Sequence, residues 1–308
     1  MPNTALSVAQ RLREKAEAMT QHIEDSLHSR SAQQRPTARR ARLATTLEAR
    51  GRHLQIVQAA LRTLANGHER QTLPACLRAI TSRTAVEAIL QHAADAEPKQ
   101  ALLALLPPGV GMPSTAQRIA ERERALLGHK LPGFFPTPPA VAAQMLGLAA
   151  VSRGMTVLEP SAGKGDLADA IRTAHPEVTI QVIEVQPALS EILALKAYGV
   201  IGTDFLAFPG PTGPRQHFDR ILMNPPFAHE QDIAHVRHAY ELLAPGGRVV
   251  AIMSEWPFFR QIPAATQFRL WLNEQPHYCR SLPDGSFQRA FRATGVRCRI
   301  VTVERPME

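Results

Sequence analysis

From residue 134 onward, short β-rich runs alternate with helical ones, and that alternation leaves few folds open. The runs are MTVLE (155–159), VTIQVIE (178–184), GVIGT (199–203), RILMN (220–224) and RVVAIMS (248–254). Helical patterns lie between most of them, at 167–174, 187–197 and 233–243. Strands that alternate with helices need crossover connections, which give a doubly wound α/β sheet covered on both faces. Sheets of that kind bind ligands outside the carboxyl ends of their strands. The residues directly after each run are therefore the ones that carry information about function.

The first 133 residues have a different texture. Apolar residues at Leu12, Ala16, Met19, Ile23 and Leu27 repeat at helical spacing, and SAQQRPT (31–37) breaks the pattern. A second helix is expected through Leu43, Leu47, Leu54, Val57, Leu61 and Leu64, disturbed at Gly51 and stopped by Asn66-Gly67. Two short helices follow, at 73–80 and 84–92, as a helical hairpin with a weak helix-turn-helix character. Residues 97–113 are punctuated by Pro and Gly and read as a linker, and one more helix is expected at 115–127. With 308 residues the chain has room for two ordinary domains. They are placed at 1–110 (helical and basic) and 134–308 (α/β), joined by a linker and lead-in helix at 111–133.

Charge separates the same two parts. Residues 1–133 carry 19 basic and 11 acidic side chains, a surplus of +8, whereas residues 134–308 carry 16 of each. The surplus is densest around Arg35, Arg39, Arg40, Arg42, Arg50 and Arg52. A basic surface concentrates a polyanion around itself, so nucleic acid is the expected partner. Arg outnumbers Lys by 30 to 5, so a coding bias and a solvated face explain the same surplus. Three widely spaced cysteines without a CxxC pair support neither a disulfide framework nor a zinc knuckle. The N-terminus meets charges before any apolar stretch, and the most apolar segment (101–112) is short and broken by Pro107 and Pro108. A cytoplasmic protein, with no membrane partner and no metal, is the expectation.

The segment after the first run is LEPSAGKGDLADAI (158–171), where Gly163 and Gly165 let the backbone turn tightly against a ligand. It has neither the third glycine of the dinucleotide fingerprint nor the Walker pattern. Glu184 ends the second run, 25 residues after Glu159, and a carboxylate there can accept both hydroxyls of a ribose. Asp204 follows the third run, where a turn or N-cap role is the simpler explanation of an aspartate taken alone.

Together these segments resemble motifs I, II and III of the S-adenosylmethionine-dependent methyltransferases. The resemblance implies a seven-stranded Rossmann-like sheet and S-adenosylmethionine as cofactor. Glu159 with Ser161, Ala162, Gly163 and Gly165 would hold its methionine end. Glu184 would hold the ribose and Asp204 the adenine amino group, with Val185 and Phe205 beside them in the cofactor set. Upstream, GFFPTPPAVAAQML (133–146) resembles motif X of amino-methyltransferases, which adds Phe135, Thr137 and Pro138 to the cofactor set.

The fourth run ends in Met223-Asn224-Pro225-Pro226-Phe227. Methylating an exocyclic amine is difficult because the nitrogen lone pair is delocalised into the ring. Two acceptors aimed at the amino hydrogens, the Asn224 side-chain oxygen and the Pro225 carbonyl, can localise that pair where charge develops. The two prolines stiffen the loop, and Phe227 offers a face on which a flat substrate can stack. Asn224 is also counted among the cofactor residues. The order of motifs X, I, II, III and IV resembles the gamma group of DNA N6-adenine methyltransferases, and the resemblance spans 134–304. SFQRAFRATGVRCRIVTVER (286–305) resembles the hairpin bearing motif VIII. There Phe287 or Phe291 would face an extruded base, with Arg289, Arg292 and Arg297 near phosphates.

Gamma-group DNA enzymes usually carry a recognition domain after the last strand, for which the chain leaves no room. Recognition is then expected from the helical region, including Arg39, Arg40 and Arg42, or from 255–277, with short or relaxed sequence preference. The same pattern is compatible with an RNA adenine enzyme. It also fits a glutamine-N5 methyltransferase acting on a release factor, or a regulator that binds cofactor and DNA without catalysis.

Overall fold

The computed structural model describes residues 6–27, 37–92, 96–127, 131, 133–210, 217–287 and 296–307. The chain divides into two compact units, Met1–Gly128 and His129–Glu308.

The first unit is helical throughout its described residues. Helices α1 (Val8–Glu17) and α2 (Thr20–Leu27) replace the single helix expected over this stretch. Ser7 and Gln10 form a capping box that starts α1. Helix α3 runs from Ala38 to Arg70 without a break. Gly51 and Gly67, expected to disturb and to stop it, are sites of close approach instead. A Cβ at Gly51 would lie 2.8 Å from a methyl of Leu27, and one at Gly67 would lie 2.2 Å from a methyl of Leu73. The helix ends only at Gln71, in the left-handed region. At 100° per residue, buried Ala44, Glu48 and Gly51 lie roughly opposite buried Val57, Leu61 and Leu64. So α3 buries different faces along its length.

After a single 3₁₀ turn at Ala75–Leu77, helix α4 spans Arg83–Gln91 and α5 spans Glu97–Leu105. The latter corrects the reading of 97–113 as linker. Pro98 suits the first turn of a helix, and Leu102 is fully buried in the core of the unit. Helix α6 (Thr115–Ala125) belongs to this unit too, through ion pairs Arg124–Glu48 and Arg52–Glu121, the latter at 2.8 Å.

The second unit contains the doubly wound sheet expected from the alternation. Its strands are β1 (Thr156–Glu159), β2 (Thr179–Ile183), β3 (Gly199–Gly202), β4 (Phe218–Met223), β5 (Leu243–Ser254), β6 (His277–Ser281) and β7 (Cys298–Glu304). Their order is β3-β2-β1-β4-β5-β7-β6, with β1 to β5 parallel and β7 antiparallel to both neighbours. This is a doubly wound, Rossmann-like arrangement with one reversed strand inserted next to its edge.

Side chains alternate between two cores, as the strand period of two requires. Ile221, Met223, Val249, Ala251, Val301 and Val303 enter one, under α10 (Gln231–Glu241) and α11 (Pro263–Asn273). Leu222, Val250, Ile252 and Ile300 enter the other, under α7 (Pro139–Ala149) and α8 (Asp166–Ala174). Helix α9 (Pro187–Leu195) completes the alternation between β2 and β3. Helix α7 starts on Pro138-Pro139, where the missing N–H costs nothing. Its last carbonyls are met by guanidinium groups, Arg220 on Ala149 (2.6 Å) and Ala150 (3.3 Å) and Arg248 on Leu148.

Candidate functional site

The strand order reverses between β1 and β4, and the residues leaving their carboxyl ends surround one cavity. After β1 the chain passes through Gly163 and Gly165, both with positive φ (58° and 89°), into α8. A Cβ at Gly163 would lie 2.8 Å from the Phe134 ring, so any side chain there is strained and crowds that ring. The loop is tied down on both sides. Ala162 N–H donates to the Ile183 carbonyl at 3.0 Å. Lys196 donates to the Lys164 carbonyl (2.8 Å) and to Asp169 (2.6 Å), which also accepts from the Tyr198 hydroxyl at 2.7 Å.

Two buried carboxylates frame the loop. Glu159, 2% exposed, accepts the Ala168 N–H at 2.8 Å. Burial pushes its pKa well above the carboxylate range, against the pull of that bond, and the nearby acids Asp166, Asp169 and Glu184 push the same way. Glu184 accepts N–H groups from Gly163 (2.6 Å) and Gln186 (2.7 Å), which fixes its rotamer toward the cavity. Burial raises its pKa as well, opposed by its backbone donors. Val185 beside it is exposed. Asp204 is exposed and accepts the Leu206 N–H at 3.0 Å, a turn role. Phe205 is buried against His235 and His238, with ring centroids 5.4 and 4.8 Å away.

Asn224 follows β4. Its Nδ2 donates to the Phe135 carbonyl at 2.7 Å and to Thr137 Oγ1 at 3.3 Å. With Nδ2 so committed, Oδ1 is the atom left for a ligand. Gly133 (φ 70°) completes the join, since a Cβ there would lie 3.1 Å from Pro226. Pro225 is buried, and Phe227 is half-buried on the core that contains Phe287.

One cavity is thus lined by Phe135, Thr137, Glu159, Ser161, Ala162, Gly163, Glu184, Val185, Asp204, Phe205, Asn224 and Pro226. Pro138, Gly165, Pro225 and Phe227 support it from outside its lining. Phe287, 3% exposed, is placed as a core side chain rather than as an open face for a base. Phe291, Arg289 and Arg292 lie outside the described residues. Arg39, Arg40 and Arg42 are exposed at the start of α3, in the first unit.

The cavity has lining residues that the sequence pattern did not single out. Gln231 and His235 reach it from one face of α10, four residues apart. Burial holds the His235 imidazole below its usual pKa, so it is a neutral wall. Between them, fully buried Asp232 accepts from Ser254 Oγ (2.7 Å) and Ser254 N–H (3.2 Å), tying the first turn of α10 to the end of β5. Burial raises its pKa, against those bonds. Among the described residues, no group of His, Cys, Asp and Glu could hold a metal, and no helix is long and apolar enough to cross a membrane.

No family model matches the chain. Among solved structures it is similar to the modification subunit of a candidate type I restriction enzyme from Vibrio vulnificus, at 17% identity and a TM-score of 0.49, covering 80% of this chain and 57% of that one. TrmN from Thermus thermophilus is similar at 23% identity and a TM-score of 0.38, over 54% of this chain and 48% of that one. A candidate class I S-adenosylmethionine-dependent methyltransferase from Listeria monocytogenes is similar at 12% identity and a TM-score of 0.46, over 97% and 88%. The chain therefore spans about half the length of the first two structures.

Proposed function

We propose that the protein is an S-adenosylmethionine-dependent methyltransferase that modifies the exocyclic N6 amine of adenine in DNA. The observation that carries this reading is the fixed Asn224 amide. Its nitrogen is held by Phe135 and Thr137, so its oxygen is presented beside a cavity framed by Glu159 and Glu184.

The residues present fit the cofactor. The Gly163 backbone offers close approach where a Cβ would collide with Phe134, and Glu184 is held in one orientation by two N–H donors. A carboxylate so fixed has lone pairs left for two ribose hydroxyls. Glu159, buried and high in pKa, is suited to a positively charged group that draws it into its ionised form. When bound, S-adenosylmethionine supplies an electrophilic methyl group.

The protein's part is to orient the amine. Asn224 Oδ1 and the Pro225 carbonyl accept its two hydrogens, which pulls the nitrogen from planarity and concentrates its lone pair toward the cavity. Positive charge that develops on that nitrogen is stabilised by the same two oxygens, and because Asn224 is already held by Phe135 and Thr137 little reorganisation of its amide is needed. The nitrogen then loses a proton to solvent. The half-buried Phe227 ring braces the loop from the core side.

Nucleic acid is favoured over a protein acceptor by the +8 surplus confined to residues 1–133 and by exposed Arg39, Arg42 and Arg50 on α3. The test is incubation with tritiated methyl donor and, separately, duplex DNA, single-stranded DNA, RNA and a release factor. Label in DNA supports the reading. Label confined to RNA or to the release factor replaces the acceptor, and label in none refutes catalysis.

A further inference from the structure

A second pocket opens on the same carboxyl edge of the sheet, beyond β5, and the chemistry above does not use it. Its lining includes Trp256, Phe259, Leu282 and Arg297 together with the acids Glu255 and Asp284. Ser254 and Cys298 pair at the ends of β5 and β7, which places the pocket at the ends of those two strands.

Its aromatic wall is built rigidly. Phe258 turns inward, edge-on to Phe268 at 6.0 Å, with the Arg299 guanidinium 3.9 Å from its ring centroid. The next residue, Phe259, turns outward and is 63% exposed. Arg269 holds that turn by donating to the carbonyls of Pro257 (2.7 Å) and Arg260 (2.9 Å). An outward phenyl on a pinned turn is a ready stacking face.

The two carboxylates at the pocket are both paired. Glu255 is engaged by Arg299 and by the Ser281 hydroxyl at 3.0 Å, and Asp284 pairs with Arg297 at 3.3 Å. Arg260, with its guanidinium 5.9 Å from the Trp256 ring, has no carboxylate partner among the described residues. The pocket is also linked to the candidate active site. Asp232, eight residues after Asn224, holds Ser254 on this side, while its neighbour Gln231 lines the cofactor cavity on the other.

We propose that this pocket binds a nucleobase next to the one that receives the methyl group, stacked on Phe259, with Arg260 against an adjoining phosphate. The inference rests on the nucleic-acid reading of the site and extends it to a flanking nucleotide. Aromatic faces with adjacent guanidinium groups are how sequence-tolerant single-strand sites hold bases.

The test uses the full chain and a short single-stranded oligonucleotide containing one adenine. Phe259→Ala should raise the KM for the oligonucleotide roughly fivefold or more, the loss of one stacked base. Its kcat and cofactor affinity should stay within about twofold, and Phe259→Trp should restore the KM. In a Trp271→Phe background Trp256 is the remaining tryptophan of two. The oligonucleotide should quench its emission, with a weaker midpoint after Phe259→Ala. Methylation of the oligonucleotide with unchanged KM and quenching in Phe259→Ala overturns the pocket assignment alone. No methylation of DNA or RNA by the unaltered protein overturns the reading of the site and this inference with it. A glutamine peptide whose methylation depends on Phe259 assigns the pocket to a protein instead.

Discussion

The Asn224 side-chain nitrogen lies 2.7 Å from the Phe135 carbonyl, a hydrogen bond that spans 89 positions of the chain. It joins the segment before α7 to the loop after β4 and fixes which atom of the amide a ligand meets. A free asparagine would pay to adopt one orientation during the reaction. Here folding has already set it.

Asn224→Ala should therefore lower methyl transfer by about two to three orders of magnitude, the usual loss for one preorganised polar group at a reacting centre. Cofactor binding should be largely retained, as judged by calorimetry. Asn224→Asp should not rescue, because the Phe135 carbonyl would face an oxygen rather than a donor.

Gly163→Ala tests the cradle. The residue sits at φ 58° and its new Cβ would lie 2.8 Å from the Phe134 ring. Strain of this kind costs about 1–3 kcal/mol. Expressed in the loop, it should weaken cofactor binding by roughly tenfold, measurable by equilibrium dialysis, while the sheet remains folded by circular dichroism.

The buried acids give a pH dependence with a defined sign. Burial raises the pKa of Glu159, so above about pH 4.5 the unfolded chain loses this proton before the native state does. Stability of the cofactor-free protein therefore falls as pH rises from there through the raised native value. Glu159→Gln removes that penalty. Thermal melts from pH 5 to 8 should decline less steeply for the variant, and equal slopes would assign the penalty elsewhere. Glu184 and Asp232 act in the same direction and remain in both proteins.

Arg39, Arg42 and Arg50 are exposed on α3, and 100° per residue places them on one side of it. Replacing all three by Ala should make the salt dependence of DNA binding shallower by about two to three units in log–log slope, near 0.9 for each phosphate no longer neutralised. Cofactor affinity should not change.

Much of this site could be read from the sequence because its key residues directly follow strands. Glu159, Gly163, Glu184 and Asn224 each sit at the end of a β-run or within four positions of it, and a parallel sheet gathers such positions at one edge. Gln231, Asp232 and His235 escaped notice because they lie inside a helix, where a polar residue four positions from another is ordinary. What makes them part of the site is the rotation of α10 against the sheet, which periodicity does not encode. In the helical unit the errors came from local rules. Gly67 reads as a stop, yet Leu73 packs onto it; residues 97–105 read as linker, yet Leu102 supplies core. Tertiary packing overrode propensity in both places.

The most direct measurement of the central claim is nucleoside analysis. DNA incubated with the protein and S-adenosylmethionine is digested to nucleosides and resolved by mass spectrometry. The expected product is N6-methyladenosine in its deoxy form, dependent on Asn224. Methyl groups found only on cytosine, only on protein, or undiminished in Asn224→Ala would contradict it.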